Sequence, residues 1–171
     1  MTGFGLFDED QEIAQTAEKF LTFLIDGQYF AIPIEDVREI IATQSVTQMP
    51  DFPEYVKGVI NLRGSIIPLV DLRLRFRKPE KERDEYTSIV ITSIEGTDVG
   101  FVVDAVDEVL DIDKEHLASP PKMGEGSARY LKGIGRVGEK IVLLLDVGAL
   151  LSGEEIAGIA EVTETLVSQP D

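Results

Sequence analysis

Hydrophobic positions along this chain fall in short runs broken by glycine, proline and charged residues, a spacing that predicts strands more than helices. From Lys19, the runs FLTFLID and YFAIPI flank Gly27-Gln28, and an Asp-Gly signal between aromatic and β-branched residues predicts a hairpin. Glu35-Asp36 suits a short helical turn, Val37 to Ile41 with Val46 continue the apolar pattern, and Pro50 and Pro53 bracket a loop. The stretch KGVINLRGSIIPLVDL, Lys57 to Leu72, reads as a second hairpin with Arg63 at its tip. Pro68, in the return arm, lacks a backbone donor and argues for an edge strand or a bulge. Leu72 to Phe76 is a short helical or irregular piece, and Arg77 to Glu85 a charged surface loop.

The pattern then starts again. FLTFLIDGQYFAIPIEDVREII from Phe20 lies ungapped over IVITSIEGTDVGFVVDAVDEVL from Ile89, 69 positions on, with Asp26-Gly27 over Glu95-Gly96. YVKGVINLRGSIIPLVDL from Tyr55 lies over YLKGIGRVGEKIVLLLDV from Tyr130, 75 positions on, and Arg63 falls on Gly138. The extra six residues belong to a connector holding Pro120, Pro121, Gly124 and Gly126, a loop composition. Two matches in one order imply duplication. Short strands with Gly/Pro turns and little helix predict two small antiparallel barrels or a sandwich sharing a hydrophobic interface, with strands free to exchange between units. Ala149 to Val162 carries Leu150, Leu151, Ile156, Ile159 and Ala160 at helical spacing and predicts a terminal helix.

Composition narrows the function. The 171 residues contain no cysteine, which removes disulfide and thiolate chemistry, and no apolar run long enough to cross a bilayer. A cytoplasmic protein fits. The net charge of −16 disfavours nucleic acid and anionic membrane as partners. The charge is uneven: Glu35 to Arg83 holds nine Lys and Arg against eight Asp and Glu, leaving seven against twenty-four elsewhere. A locally basic surface on an acidic protein suits steering of a protein partner, and equally an ordinary solvated face with salt pairs.

Candidate chemistry is thin. Gly133 to Gly138 spells G-x-G-x-x-G, but a strand-like run, IVLLLDV, follows where a dinucleotide site needs a helix N-terminus. The acidic series Asp104, Asp107, Glu108, Asp111 and Asp113 has no accompanying nucleophile or calcium-loop spacing and reads as a solvated edge. His116, the single histidine, lies in a polar segment and is expected to be exposed, with no zinc or copper site of the usual kind. Neither catalysis, cofactor nor metal is expected.

The blocks FLIDGQYFAIPIEDVREII, KGVINLRGSIIPLVDLR, GFVVDAVDEVL and YLKGIGRVGEKIVLLLDV together resemble the CheW-type chemotaxis coupling proteins, from about Lys19 to Leu151. The resemblance implies a mainly β fold of two five-stranded SH3-like barrels related by a pseudo-twofold, with short helices and a C-terminal helix. With the composition of its ends, the chain divides into a mobile acidic extension (1–18) that lies outside the resemblance, a CheW-like domain (19–162, with repeats of about 20–76 and 89–151) and a tail (163–171). The resemblance also implies a non-catalytic adaptor joining the cytoplasmic tips of methyl-accepting chemoreceptors to the CheA histidine kinase. By similarity, Val37, Gly58, Arg63, Ile89 and Val109 occupy receptor-binding positions near the join of the barrels, and Glu39 and Ile40 kinase-binding ones. The same domain also occurs within the CheA kinase and beside a receiver domain in CheV-type adaptors, modules for which 171 residues leave no room. Other readings are a coupler of this fold serving pilus-based motility or a second-messenger pathway, and an acidic small-ligand-binding protein.

Overall fold

The structure, a computed structural model, describes residues 17–119 and 127–168. Eleven strands are described within this span: β1 (Ala17–Ile25), β2 (Gln28–Pro33), β3 (Val37–Ala42), β4 (Val56–Leu62), β5 (Ser65–Asp71), β6 (Ser88–Ile94), β7 (Thr97–Val103), β8 (Ala105–Asp113), β9 (Leu117–Ala118), β10 (Leu131–Val137) and β11 (Lys140–Leu145). Two helices accompany them, a single turn α1 (Leu72–Arg75) and a long α2 (Gly153–Ser168). The N-terminal extension through residue 16 and the Pro/Gly connector at 120–126 lie outside the described residues. Ala17 and Glu18, expected in that extension, already belong to β1, and α2 continues beyond Val162, where the tail was expected to begin.

Each sheet takes strands from both copies of the repeat. One has the order β8-β1-β2-β11-β10-β9, the other β3-β6-β7-β5-β4. The first hairpin of each copy has therefore crossed to complete the sheet of the other. Both sheets close on themselves. After β3 the chain runs on to Thr47, which pairs with Val59 of β4; after β8 it turns once into β9, whose Ala118 pairs with Ile134 of β10. Val59 and Ile134 are equivalent in the repeat, so the two seams are the same device used twice. These are the two five-stranded barrels of the SH3-like architecture.

The duplication extends to backbone detail. Asp26-Gly27, Arg63-Gly64 and Glu95-Gly96 all have positive φ at both central residues (51° and 76°, 52° and 89°, 49° and 82°), the geometry of type I′ hairpin turns. Bulges fall at Val56/Gly58 and again at Leu131/Gly133. The amide of Asp71 donates to the Tyr55 carbonyl, and that of Asp146 to the Tyr130 carbonyl, at 2.7 and 2.8 Å.

Glycine at the bulge is dictated by the seam. A Cβ on Gly58 would lie 2.0 Å from the Thr47 carbonyl oxygen, and one on Gly133 would lie 3.1 Å from that of Ala118. The G-x-G-x-x-G segment is accordingly β10 followed by a hairpin turn, with β11 next where a phosphate-binding loop would require a helix.

Each barrel holds a small core: Ile60, Ile67, Leu69, Ile89 and Ile91 in one, Phe20, Ala31, Ile112, Val142 and Leu144 in the other. The largest cluster lies between the barrels, gathering Phe23, Phe30, Val70, Phe76, Phe101, Tyr130 and Leu145 with Ile156 and Ile159 of α2. Strands are thus buried on both faces, which is why their sequences run apolar without alternation. A capping box starts α2: Ser152 Oγ accepts from the Glu155 amide, and Glu155 Oε1 from the Ser152 amide.

Two expectations need correcting. Pro68 sits on β5, which lies between β4 and β7 and not at an edge. The ladder to β7 begins only at Leu69, so at Pro68 the strand is paired on one side and its missing donor is tolerated. Asp104 is no solvated carboxylate: it is largely buried under Arg73, whose Nε and Nη2 each donate to it at 2.8 Å.

Candidate functional site

Strand β3 alternates half-buried Val37, Glu39 and Ile41 with exposed Arg38, Ile40 and Ala42. Its register against β6 shifts between Val37 and Glu39, a bulge that re-aims the side chains beyond it. Arg38 ties β3 to β7 through Asp98 at 3.1 Å. The β4–β5 hairpin brings Arg63 to the same end of this barrel. Its turn is braced by Asn61, whose Oδ1 accepts from the Gly64 amide at 2.9 Å.

There Arg63 forks onto Glu39: Nη1 donates to Oε2 at 3.0 Å and Nη2 to Oε1. The hydrogen bonds from Arg63 hold the Glu39 carboxyl below its ordinary pKa, and the same bonds raise that of the guanidinium. With side chains 69% and 33% exposed, the pair adds little stability. What it fixes is geometry: a planar, bidentate arrangement at the surface. Arg63 is also held at φ 52°, a conformation unfavourable for a residue with a side chain. Glu39 and Arg63, assigned by resemblance to different partners, form one unit here.

The other anticipated positions divide by burial. Ile40 is 42% exposed and Val109 50%, and they are equivalent in the repeat, one on each barrel. Val37 is half-buried and packs against the inter-barrel core, as do its counterpart Val106 and Ile34. Val106 stands 69 positions beyond Val37, the offset that relates the two copies of the repeat. Gly58 is buried against the Thr47 carbonyl, and Ile89 has 0% exposure in its barrel's core. Ile89 therefore offers no surface to a partner.

Elsewhere, most of the acidic series is engaged. Asp107 meets Lys140 at 3.1 Å and also accepts from Thr22; Asp111 meets Lys19 at 3.0 Å. His116 is exposed as expected; Asp113, Glu115 and His116 bring ligand atoms within 4.8 Å of one another at the surface. Among the described residues no helix is long and apolar enough to cross a membrane.

The family model of the CheW-like domain matches residues 19–155. The chain belongs to the CheW-like family. Among its relatives, the chemotaxis protein CheW of Klebsiella aerogenes is 36% identical over 149 residues, covering 86% of this chain and 90% of that one. The CheW of Bacillus subtilis is 30% identical over 141 residues, 82% of this chain and 90% of that one. The crystal structure of the scaffolding protein TtCheW from Thermoanaerobacter tengcongensis superposes with a TM-score of 0.76 at 32% identity, covering 81% of this chain and 97% of the other. This CheW-like chain is thereby a chemotaxis coupling protein of a bacterial scaffold family.

Proposed function

We propose that this protein is a non-catalytic adaptor that joins the cytoplasmic tips of methyl-accepting chemoreceptors to a CheA-type histidine kinase. It works in the cytoplasm, recruited to membrane receptor arrays. The observation that carries the reading is the exposed Arg63–Glu39 fork on a CheW-like scaffold matched over 19–155. A helical receptor tip offers an apolar stripe with carboxylates beside it. Val37 and the neighbouring inter-barrel apolar residues receive the stripe, and Val109 extends the contact. Arg63 takes the carboxylate at the rim, sharing its fork with Glu39. Ile40 meets the kinase from the outer face of β3 and Glu39 through its fork with Arg63, while Gly58 and Ile89 shape the barrel behind the receptor contact. Because Arg63 and Glu39 are one unit, receptor engagement is mechanically adjacent to the kinase contact.

Separate titrations against a receptor signalling fragment and the regulatory domain of the kinase test this reading. Saturable binding of both is expected, with no ATP hydrolysis by the isolated chain in magnesium. Binding of neither partner would overturn it.

A further inference from the structure

At the opposite end of β4 from Arg63, the loop before β4 and the first turns of α2 enclose an apolar groove of about 200 Å³. It is lined by Phe52, Pro53, Val56, Gly158 and Ile159, with Glu154 and Glu155 at the rim. Seven strand residues separate the two ends, so the groove lies roughly 20 Å from the Arg63 hairpin tip. Its volume exceeds that of the ~150 Å³ apolar cavity known to admit benzene. One aromatic or branched aliphatic side chain fits.

Gly158 makes this space. Glycine inside a helix costs about 1 kcal/mol relative to alanine. Nothing in the fold demands it here, since a Cβ at Gly158 would meet no atom within 4 Å. The glycine weakens α2 at the position where its missing side chain opens the groove.

Charge selects the occupant. Glu155 is already engaged, capping Ser152 and lying 3.5 Å from Arg75. Glu154 stands exposed at the rim. A second copy of a chain with net charge −16 is repelled from such a rim, whereas a segment bearing Lys or Arg is drawn to it. We propose that this groove docks a cationic amphipathic segment of a protein partner, seating one large apolar side chain over Gly158 and pairing a Lys or Arg with Glu154. The proposal is independent of the receptor and kinase assignments, which concern the other end of the barrel.

The probe is an acetylated, amidated Leu/Lys peptide with leucines at helical spacing, about 14 residues long so that a helix is attainable. Its control replaces every leucine with glutamine at unchanged charge. Both are titrated into the full-length ¹⁵N-labelled chain at physiological salt. The Leu/Lys peptide is expected to shift the amides of Phe52, Val56, Gly158 and Ile159, and the control to leave them in place. Gly158→Leu, filling the groove, is expected to weaken binding at least about tenfold while the chain still melts cooperatively; Glu154→Lys is expected to weaken it severalfold. Should Gly158→Leu fail to fold, Gly158→Ala and Glu154→Lys carry the test. Equal binding of both peptides, shifts confined to other surfaces, indifference to the substitutions, or self-association of the chain through this face would each overturn the proposal.

Discussion

Arg75 donates from its Nε to the carbonyl oxygen of Leu150 at 2.7 Å, although the two residues hold the same position in the two copies of the repeat. A residue touches its own counterpart only beside the pseudo-twofold axis. The guanidinium there lies 4.3 Å from the ring of Tyr55 and 5.0 Å from that of Tyr130, a second equivalent pair. One largely buried cation thus fastens both barrels, and its partner Glu155 brings in α2.

Replacing Arg75 by methionine, which keeps an unbranched stem, is expected to lower stability by about 2–3 kcal/mol. Two cation–π contacts are lost, and a carbonyl acceptor loses its donor. Arg75→Lys should recover only part, because a compact ammonium cannot lie against the two rings as a planar guanidinium does while also reaching the carbonyl. Urea unfolding of the three proteins measures this. A loss below about 0.5 kcal/mol for Arg75→Met would show that the axis is held by the apolar cluster alone.

Gly58→Ala tests the seam. Its Cβ falls 2.0 Å from backbone oxygen, so β4 or the Thr47 segment must move, and a loss of more than about 3 kcal/mol is expected. Gly133→Ala, at 3.1 Å, should cost clearly less. Thermal melts of the two variants settle the order. If Gly58→Ala melts normally yet no longer binds a receptor fragment, Gly58 is a contact position and the seam explanation fails.

Two buried carboxyls predict opposite responses to acid. Burial pushes Asp104 up, but hydrogen bonds from Arg73 and the Asp26 amide outweigh it, and the carboxyl sits below its ordinary value. Its contribution is present above the unfolded-state pKa, near 4, and is lost as pH falls below that towards the folded value. Asp71 is raised, chiefly by burial, so its ionisation removes stability as pH rises from about 4 towards that raised value. Asp104→Asn should therefore flatten the loss of stability below pH 4, and Asp71→Asn the slope just above it. Denaturant midpoints at successive pH values report both slopes. Unchanged slopes in both variants would refute the assignment.

Turns and repeats were legible because they are written locally: Asp26-Gly27, Glu95-Gly96 and the Gly58/Gly133 match each sit within a few residues of sequence. The exchange of hairpins was not, since β1 chooses between β3 and β8 by long-range packing that no local pattern records. Ile89 shows a second limit. Its strand, SIVITSI, is apolar on both faces because one meets the barrel core and the other the inter-barrel cluster, so periodicity cannot say where Ile89 points. The Arg63–Glu39 fork joins residues 24 apart across two strands that are not ladder neighbours, and Arg75 read as one charge among many.

Arg63 is expected to be dispensable for folding. Arg63→Ala should shift stability by less than about 0.5 kcal/mol, as exposed substitutions do, and Arg63→Gly should be neutral or slightly stabilising at φ 52°. Both should weaken receptor-fragment binding by about 2–5 kcal/mol. Because the fork positions Glu39, kinase binding by Arg63→Ala and Glu39→Ala should combine non-additively. Additive effects on both partners would mean that the two residues act apart.

The most direct test is co-sedimentation of three purified components: membranes or assemblies bearing the receptor signalling tip, a CheA-type kinase, and this chain. Kinase is expected to sediment with receptor in proportion to added chain, and Arg63→Ala at equal concentration is expected to leave most of it in the supernatant. Kinase that sediments equally with and without the chain, or a chain that sediments with neither partner, would contradict the account of a coupler.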